Sequence, residues 1–254
     1  MIRRSENNVN RYYANINTGN YNESTAKVYS DDSLLTANQD IASEVNEVFR
    51  LFESKFIIPE FKTLIVAPFR IRKFFIEMLE NEIKNAQSGK EAWAVLRMNS
   101  LVDRKAIRKL YEASQAGVKI TLITRGICML KAGVSELSEN ITAFSIVDRY
   151  LEHGRNFVFC NGGEPAYYIG SSDWMQRNFD HRVEVICPVY DKDIQREIWD
   201  LIQIQMKDNV KARWLDPENL NVYKRDPGEI SHRSQFEIYQ YLKDKFESSI
   251  KAEN

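Results

Sequence analysis

Few residues in this 254-residue sequence belong to the classes that mark a redox, zinc or membrane protein. The three cysteines, Cys128, Cys160 and Cys187, have no metal-ligand spacing, which argues against a disulfide framework and a zinc finger. No apolar run approaches the roughly 20 residues that a membrane span needs. Residues 1–6 lack the apolar stretch of a signal peptide. We therefore expect a cytoplasmic protein with no transmembrane segment, although peripheral membrane association stays open.

Two phosphate-binding motifs are also missing from the sequence. It contains no Gly-x-x-x-x-Gly-Lys-Ser/Thr loop and no Gly-x-Gly-x-x-Gly, and the first absence excludes a P-loop kinase. Lys and Arg number 35 against 36 Asp and Glu, which gives a formal net charge of −1. This balance argues against a histone-like binder of nucleic acid, so no nucleic-acid partner is expected. It leaves room for a local anion site.

Lysine is absent between residues 132 and 191, where four arginines stand instead: Arg149, Arg155, Arg177 and Arg182. Arginine is preferred where a planar fork must hold a phosphate through two hydrogen bonds. The bias therefore either indicates phosphate recognition or reflects chance in a short window. Arg125 ends an apolar strand, where ligands of α/β sheets gather. It could meet a phosphate there or pair with a surface acid.

The apolar periodicity predicts an α/β fold with a mixed sheet flanked by helices. The polar run Asn7-Asn8-Val9-Asn10 is predicted to be the loop of an N-terminal hairpin, and a helix covers 39–54. Residues 215–254 are predicted to be a polar tail that ends in a helix over 235–246. Between these segments the predicted strands are 64–66, 93–98, 118–123, 141–147, 156–160, 167–169 and 183–189, and the predicted helices are 69–85, 103–116 and 191–206.

An internal repeat joins two parts of the chain. In each copy a Tyr-rich strand enters a small polar turn, and an acid follows 14 residues after the turn begins, from Asn17 to Asp31 and from Gly170 to Glu184. His153 stands 17 residues before Gly170, whereas the same count back from Asn17 falls before residue 1. We therefore expect the chain to be a fragment of a longer protein, beginning inside a hairpin.

His153 and Arg155 share one face of an extended segment because residues i and i+2 point the same way. Together with Ser171 in the second turn, they offer an imidazole, a guanidinium and a hydroxyl, a set that suits a phosphoryl group. The imidazole could be a nucleophile or an acid/base, with Glu184 orienting it through its other nitrogen. The alternative is an ordinary histidine with a single hydrogen bond.

At these residues the sequence resembles the C-terminal part of polyphosphate kinase, the long-chain-forming type with phospholipase D-like catalytic domains. The resemblance covers residues 2–214 and rests on a combination of motifs. These are Asn17-Thr18-Gly19-Asn20-Tyr21-Asn22-Glu23, Tyr29-Ser30-Asp31, Ser33-Leu34-Leu35-Thr36, Met98-Asn99-Ser100-Leu101-Val102-Asp103, Arg125-Gly126-Ile127-Cys128, Arg149-Tyr150-Leu151-Glu152-His153, Asp173-Trp174-Met175, Arg177-Asn178 and Asn209-Val210-Lys211-Ala212-Arg213.

The resemblance implies a phospholipase D-like fold, in which residues 1–58 are the remnant of a first catalytic domain and residues 59–214 are the second. It implies that the full-length homo-oligomer reversibly transfers the terminal phosphate of ATP to polyphosphate through a phosphohistidine. That histidine, and the ligands of the expected Mg²⁺, would lie upstream of this chain, so no metal site is expected here. Asn17, where the family usually has Gly, and Arg155, where the related phospholipase motif has Lys, are small departures.

The resemblance also assigns site residues. Tyr29, Arg125 and His153 match positions that contact ATP, and His153 also matches a proposed acid/base. Arg155, Ser171 and Arg177 are added as phosphate-binding candidates, and Glu184 as the residue that orients His153. This fragment is expected to be inactive alone. Two alternatives stay open: a phosphodiesterase of the phospholipase D type, and a module that binds nucleotide or polyphosphate without chemistry.

Overall fold

The computed structural model describes residues 1–53 and 59–253. It begins with the predicted hairpin, in which β1 (Ile2–Glu6) pairs antiparallel with β2 (Val9–Asn17). Asn7 and Asn8 form the turn with φ of 50° and 63°, a left-handed conformation that asparagine tolerates well. The segment continues with α1 (Glu23–Ala26), β3 (Tyr29–Ser30), β4 (Ser33–Thr36), which returns beside β2, and α2 (Gln39–Glu53).

The predicted helix over 39–54 is confirmed as α2. Its apolar residues recur at helical spacing, and Ile41 and Val48 are buried in the core. Ser54, where the helix was predicted to end, lies outside the described residues, and so does the domain boundary predicted between residues 58 and 59.

Nine further strands follow within the described residues 59–253, and eight of them form one sheet. They are β5 (Ile65–Val66), β6 (Trp93–Met98), β7 (Lys119–Thr124), β8 (Ile141–Ile146), β9 (Leu151–Glu152), β10 (Asn156–Phe159), β11 (Ala166–Gly170), β12 (Val185–Val189) and β13 (Ala212–Trp214). The order in the sheet is β13-β8-β7-β6-β10-β11-β12-β5. Strands β6, β7 and β8 are parallel and every other neighbouring pair is antiparallel, so the predicted mixed sheet is confirmed.

The remaining helices cover both faces of this sheet. They are α3 (Ile71–Gln87), α4 (Arg104–Gln115), α5 (Gln176–Asp180), α6 (Lys192–Lys207) and α7 (Ser234–Glu253). Side chains alternate along β10: Phe157 and Phe159 pack into the core under α3 and α4, while Val158 packs into the core under α2 and α6. Burying each of these rings stabilises the fold by about 1.5–3 kcal/mol. The α/β architecture with flanking helices is therefore confirmed.

Local signals placed the helix ends well. Asp103 caps α4, its carboxylate accepting from the Ala106 amide at 3.0 Å, and Gly117 follows the helix with a φ of 94° that favours glycine. The terminal helix is longer than the predicted 235–246, since α7 runs from Ser234 to Glu253. Within the described residues, no helix is both long and apolar enough to span a membrane.

The sequence did not predict the pairing of β3 with β9. These two-residue strands lie parallel, with Tyr29 beside Leu151 and Ser30 beside Glu152. The Leu151 amide donates to the Val28 carbonyl at 2.8 Å. So short a pair leaves no periodic pattern in the sequence. It nevertheless fastens the N-terminal segment to the main sheet immediately before His153.

Candidate active site

The His153 ring lies where the N-terminal segment meets the main sheet. Its amide donates to the Ser30 carbonyl at 2.7 Å, which continues the pairing of β3 with β9. The Tyr29 ring stacks on the imidazole, with centroids 4.6 Å apart and an angle of 26° between the planes. The structure thus brings together two of the predicted site residues from distant parts of the chain, and the contact leaves His153 half-buried.

One hydrogen bond fixes the proton of this imidazole. His153 Nδ1 lies 3.0 Å from the carbonyl oxygen of Thr18. Arg155 Nη1 also lies 3.2 Å from Nδ1, but its two hydrogens point to the shorter contacts with the carbonyls of Thr18 and His153. Because the Thr18 carbonyl can only accept, we assign the hydrogen of the neutral ring to Nδ1 and the lone pair to Nε2. The Thr18 residue belongs to the N-terminal segment, so that segment both covers the ring and selects its tautomer.

The surroundings of His153 favour its neutral form. Burial lowers the pKa of His153 to about 4, and the positive charges of Arg155 and Arg125 act in the same direction. The contact with Thr18 and the charge of Asp173 oppose this shift without cancelling it. At neutral pH the ring is therefore a proton acceptor. It becomes an acid only after a negative charge arrives beside it.

Arg155 has a different role from the one predicted. Its Nε and Nη2 donate to the two carboxylate oxygens of Asp173 at 3.1 and 3.2 Å, and both side chains are buried. Its Nη1 donates to the Thr18 carbonyl at 2.8 Å and to the His153 carbonyl at 3.0 Å. The predicted phosphate contact is corrected: these donors are directed at protein acceptors, and Arg155 holds the His153 loop in place.

Glu184 does not orient His153 as predicted. Its carboxylate accepts from the Ser171 hydroxyl and from the Asn178 side-chain amide, the latter at 2.6 Å, whereas the imidazole is bonded to Thr18. Burial raises the pKa of Glu184. The correction extends to Ser171, because a hydroxyl that donates its single hydrogen to Glu184 cannot also donate it to a phosphate.

Arg125 is the cation that faces the site with free donors. Its Nε donates to the Glu152 carbonyl at 2.6 Å. Among the described residues, its two η nitrogens have no hydrogen-bond or ion-pair partner. Burial lowers the pKa of Arg125; the charge of Asp173 opposes this shift and the charge of Arg155 adds to it, and the net direction is downward, so the charge of the guanidinium is not fully compensated. An anion beside Arg125 would supply that compensation.

Arg177 is not brought into this cluster. It lies exposed in the first turn of α5, and none of its side-chain contacts within the described residues reaches His153, Arg125 or Tyr29. Nor do the described residues contain three His, Cys, Asp or Glu side chains grouped as metal ligands. The group that the structure assembles is therefore Tyr29, Arg125 and His153, supported by Arg155.

Two family models match nearly the whole chain. The model described as polyphosphate kinase C-terminal domain 1 matches residues 1–58, and the one described as polyphosphate kinase C-terminal domain 2 matches residues 64–235. This chain belongs to the polyphosphate kinase family. The predicted resemblance is thereby confirmed. The second family model reaches residue 235 and so includes the start of α7.

Three polyphosphate kinases that this chain is similar to are each much longer than it is. Polyphosphate kinase of Vibrio cholerae serotype O1 is 46% identical over 252 residues, which are 99% of this chain and 36% of the relative. Polyphosphate kinase of Escherichia coli K12 is 43% identical over 243 residues, 96% of this chain and 35% of the relative. The crystal structure of polyphosphate kinase from Porphyromonas gingivalis matches with a TM-score of 0.90 at 43% identity, over 94% of this chain and 37% of that one.

The chain therefore spans about a third of the length of the polyphosphate kinases that it matches. This agrees with the expectation of a C-terminal portion.

Sequence reasoning missed several residues that hold the cluster of Tyr29, Arg125 and His153 together. Thr18 acts through its backbone carbonyl, for which a side-chain pattern gives no signal. Arg97 could have been found, because a charge in the middle of a buried strand needs partners. It donates to the Glu152 carboxylate at 2.7 Å and to the Asn156 side chain at 2.8 Å. Gly154 leaves room for it: a Cβ there would lie 2.2 Å from Arg97 Nη1.

Proposed function

We propose that this chain is the C-terminal catalytic portion of an enzyme that reversibly transfers the terminal phosphate of ATP to polyphosphate. The observation that carries the proposal is the cluster of Tyr29, Arg125 and His153. It combines an incompletely compensated guanidinium, a neutral imidazole with a free Nε2 and a stacked aromatic ring. Family membership supports the same reaction, with ATP and polyphosphate as the substrates.

The residues present divide the work in the following way. The η nitrogens of Arg125 donate to phosphate oxygens and balance their charge. The same negative charge favours the imidazolium form of His153, so Nε2 takes up a proton and then donates a hydrogen bond to a phosphate oxygen. Arg155 and Thr18 keep Nδ1 in place throughout. We propose that His153 acts as an acid/base, with another histidine carrying the phosphoryl group.

We propose that the phosphorylated histidine and the Mg²⁺ ligands of the family lie outside this chain. Among the described residues, no three His, Cys, Asp or Glu side chains are grouped as metal ligands. Without the histidine, incubation with ATP should leave this chain unphosphorylated. The measurement is phosphorus NMR and intact mass at alkaline pH, where phosphohistidine survives. A stable phosphorylated species on this chain would contradict the proposal that the phosphorylated histidine lies outside it.

Binding can be tested without turnover. ATP and polyphosphate are titrated by calorimetry into the wild type, Arg125→Ala and His153→Ala. We expect both variants to bind at least about tenfold more weakly, the effect of losing one charge-assisted hydrogen bond or more. Arg196→Ala and His181→Ala are matched controls at exposed positions. Equal affinity in site and control variants would show that these residues do not bind the phosphates.

We also propose the domain division into residues 1–58, 59–214 and a tail from 215. The separate family models for 1–58 and 64–235 support two units in the chain. For the full-length protein, the proposal includes a cytoplasmic homo-oligomer that binds no nucleic acid. Light scattering of the full-length protein, and its elution with and without ATP, would test the oligomer.

A further inference from the structure

The start of helix α7 is bonded to the segment that leads into His153. The Tyr150 amide donates to Gln235 Oε1 at 2.9 Å, and Gln235 Nε2 donates to the Tyr150 carbonyl at 2.8 Å. One side-chain amide thus pairs with both backbone groups of Tyr150, as a neighbouring strand would. Two residues earlier in each segment, Arg233 donates to both oxygens of Asp148 at 2.8 and 2.6 Å. The Asp148 side chain is only 2% exposed.

Further hydrogen bonds connect Gln235 to the residues of the site. Gln235 Nε2 also donates to the Glu152 carboxylate at 2.7 Å, and the other oxygen of that carboxylate accepts from Arg97 at 2.7 Å. The Glu152 backbone carbonyl is the acceptor for Arg125 Nε. His153 is the next residue in the chain. A displacement of Glu152 therefore moves both the phosphate-facing cation and the imidazole.

A second buried carboxylate fixes α7 itself at this position. Asp208 Oδ2 accepts from the amide and the hydroxyl of Ser234 at 2.8 and 2.6 Å. Its Oδ1 accepts from the amides of Lys211 and Ala212 at the entry to β13. Since Asp208 is fully buried, the first turn of α7 is anchored to the sheet before it contacts β9.

We infer that Gln235 and Arg233 are positioning residues for the active site, which hold residues 148–152 so that His153 and Arg125 face a phosphate together. The tail thereby acquires a role in ATP binding that its polar sequence did not indicate. The consequence for ATP rests on the proposed function, whereas the effect on the geometry of β9 and His153 does not.

The test compares Gln235→Ala with Gln240→Ala, a matched control on the exposed face of the same helix. Amide hydrogen exchange is measured at Leu151 and His153, whose N–H groups donate to Val28 and Ser30. We expect about tenfold faster exchange in Q235A, the change that follows from losing a pair of hydrogen bonds, with unchanged rates in β6 and β7. Q240A should match the wild type throughout.

ATP affinity is measured on the same variants, and we expect Q235A to bind ATP about tenfold more weakly. If Q235A loses the overall fold, Gln235→Met replaces it, because this change keeps most of the side-chain volume, removes the hydrogen bonds and adds no charge beside Glu152. Wild-type exchange at Leu151 and His153 in the folded variant would overturn the inference. If exchange is faster in Q235A but the wild type binds no ATP, the positioning role is supported and the proposed function fails.

Discussion

Replacing Arg155 by methionine should destabilise the chain. The Arg155 guanidinium bonds both oxygens of buried Asp173, at 3.1 and 3.2 Å. Methionine keeps much of the volume but removes the charge, so Asp173 stays buried without its partner. Breaking a buried pair in this way costs about 3–5 kcal/mol. We therefore expect urea unfolding of R155M to begin at clearly lower concentration, with an unchanged dependence on urea.

The same change should alter His153. After burial, the charge of Arg155 is the largest cause that holds the pKa of His153 at about 4. Its removal should raise that pKa toward the ordinary value near 6.5, which the imidazole resonances report in an NMR titration. Arg155→Lys separates the two effects. It keeps the charge, so the pKa stays low, but a single ammonium cannot form the fork to Asp173.

The double variant completes the design. Asp173→Asn in the R155M background removes the unpaired charge and should recover much of the lost unfolding free energy. A loss below about 1 kcal/mol in R155M, the range of ordinary surface substitutions, would refute the pairing. So small a loss would favour the phosphate-binding role that the sequence predicted for Arg155.

Two further predictions concern His153 and its cover. The pKa of His153 is about 4 in the folded chain and near 6.5 in the unfolded chain, so between these pH values the unfolded chain binds more protons. The free energy of unfolding should therefore be highest above pH 6.5 and should fall as the pH drops toward 4. The loss should be about 2 kcal/mol after discounting for the half-exposed ring, and unfolding curves of His153→Gln should lack it. Tyr29→Ala should raise the pKa of His153 by reducing its burial and weaken ATP binding roughly fivefold, whereas Tyr29→Phe and the exposed control Tyr239→Ala should change neither. A pKa in Y29A equal to that of the wild type would show that the stacked ring does not control the imidazole.

Elements with a local signature could be predicted from the sequence. The strand over Trp93–Met98 shows as a short, nearly continuous apolar run, which is typical of a strand buried on both faces. The cap at Asp103 shows as a carboxylate side chain that bonds the amide three residues on. The hairpin at Asn7 and Asn8 depends on two residues that tolerate positive φ. The pairing of Tyr29 with Leu151 has no such signature, because a bridge of two residues is decided by how the whole chain packs.

The sequence predicted which residues form the site but not which hydrogen bonds they make. The resemblance identified Tyr29, Arg125 and His153, and the structure brings them together. The residue pattern, and not the resemblance, suggested phosphate contacts for Arg155 and an orienting contact for Glu184, and the structure shows other partners for both. A guanidinium or a carboxylate bonds the nearest suitable partner. Tertiary packing, which the sequence pattern does not show, places Asp173 beside Arg155 and Ser171 beside Glu184.

Titration of the chain with ATP, observed at the His153 imidazole by ¹H–¹⁵N NMR, tests the phosphate site most directly. If phosphate lies beside Nε2 and Arg125, the His153 resonances should shift until saturation, and its pKa should rise above about 4, because a nearby negative charge favours the imidazolium. His181 and His232 should not respond. Resonances and a pKa of His153 that stay unchanged while calorimetry shows saturated ATP binding would contradict the proposed site.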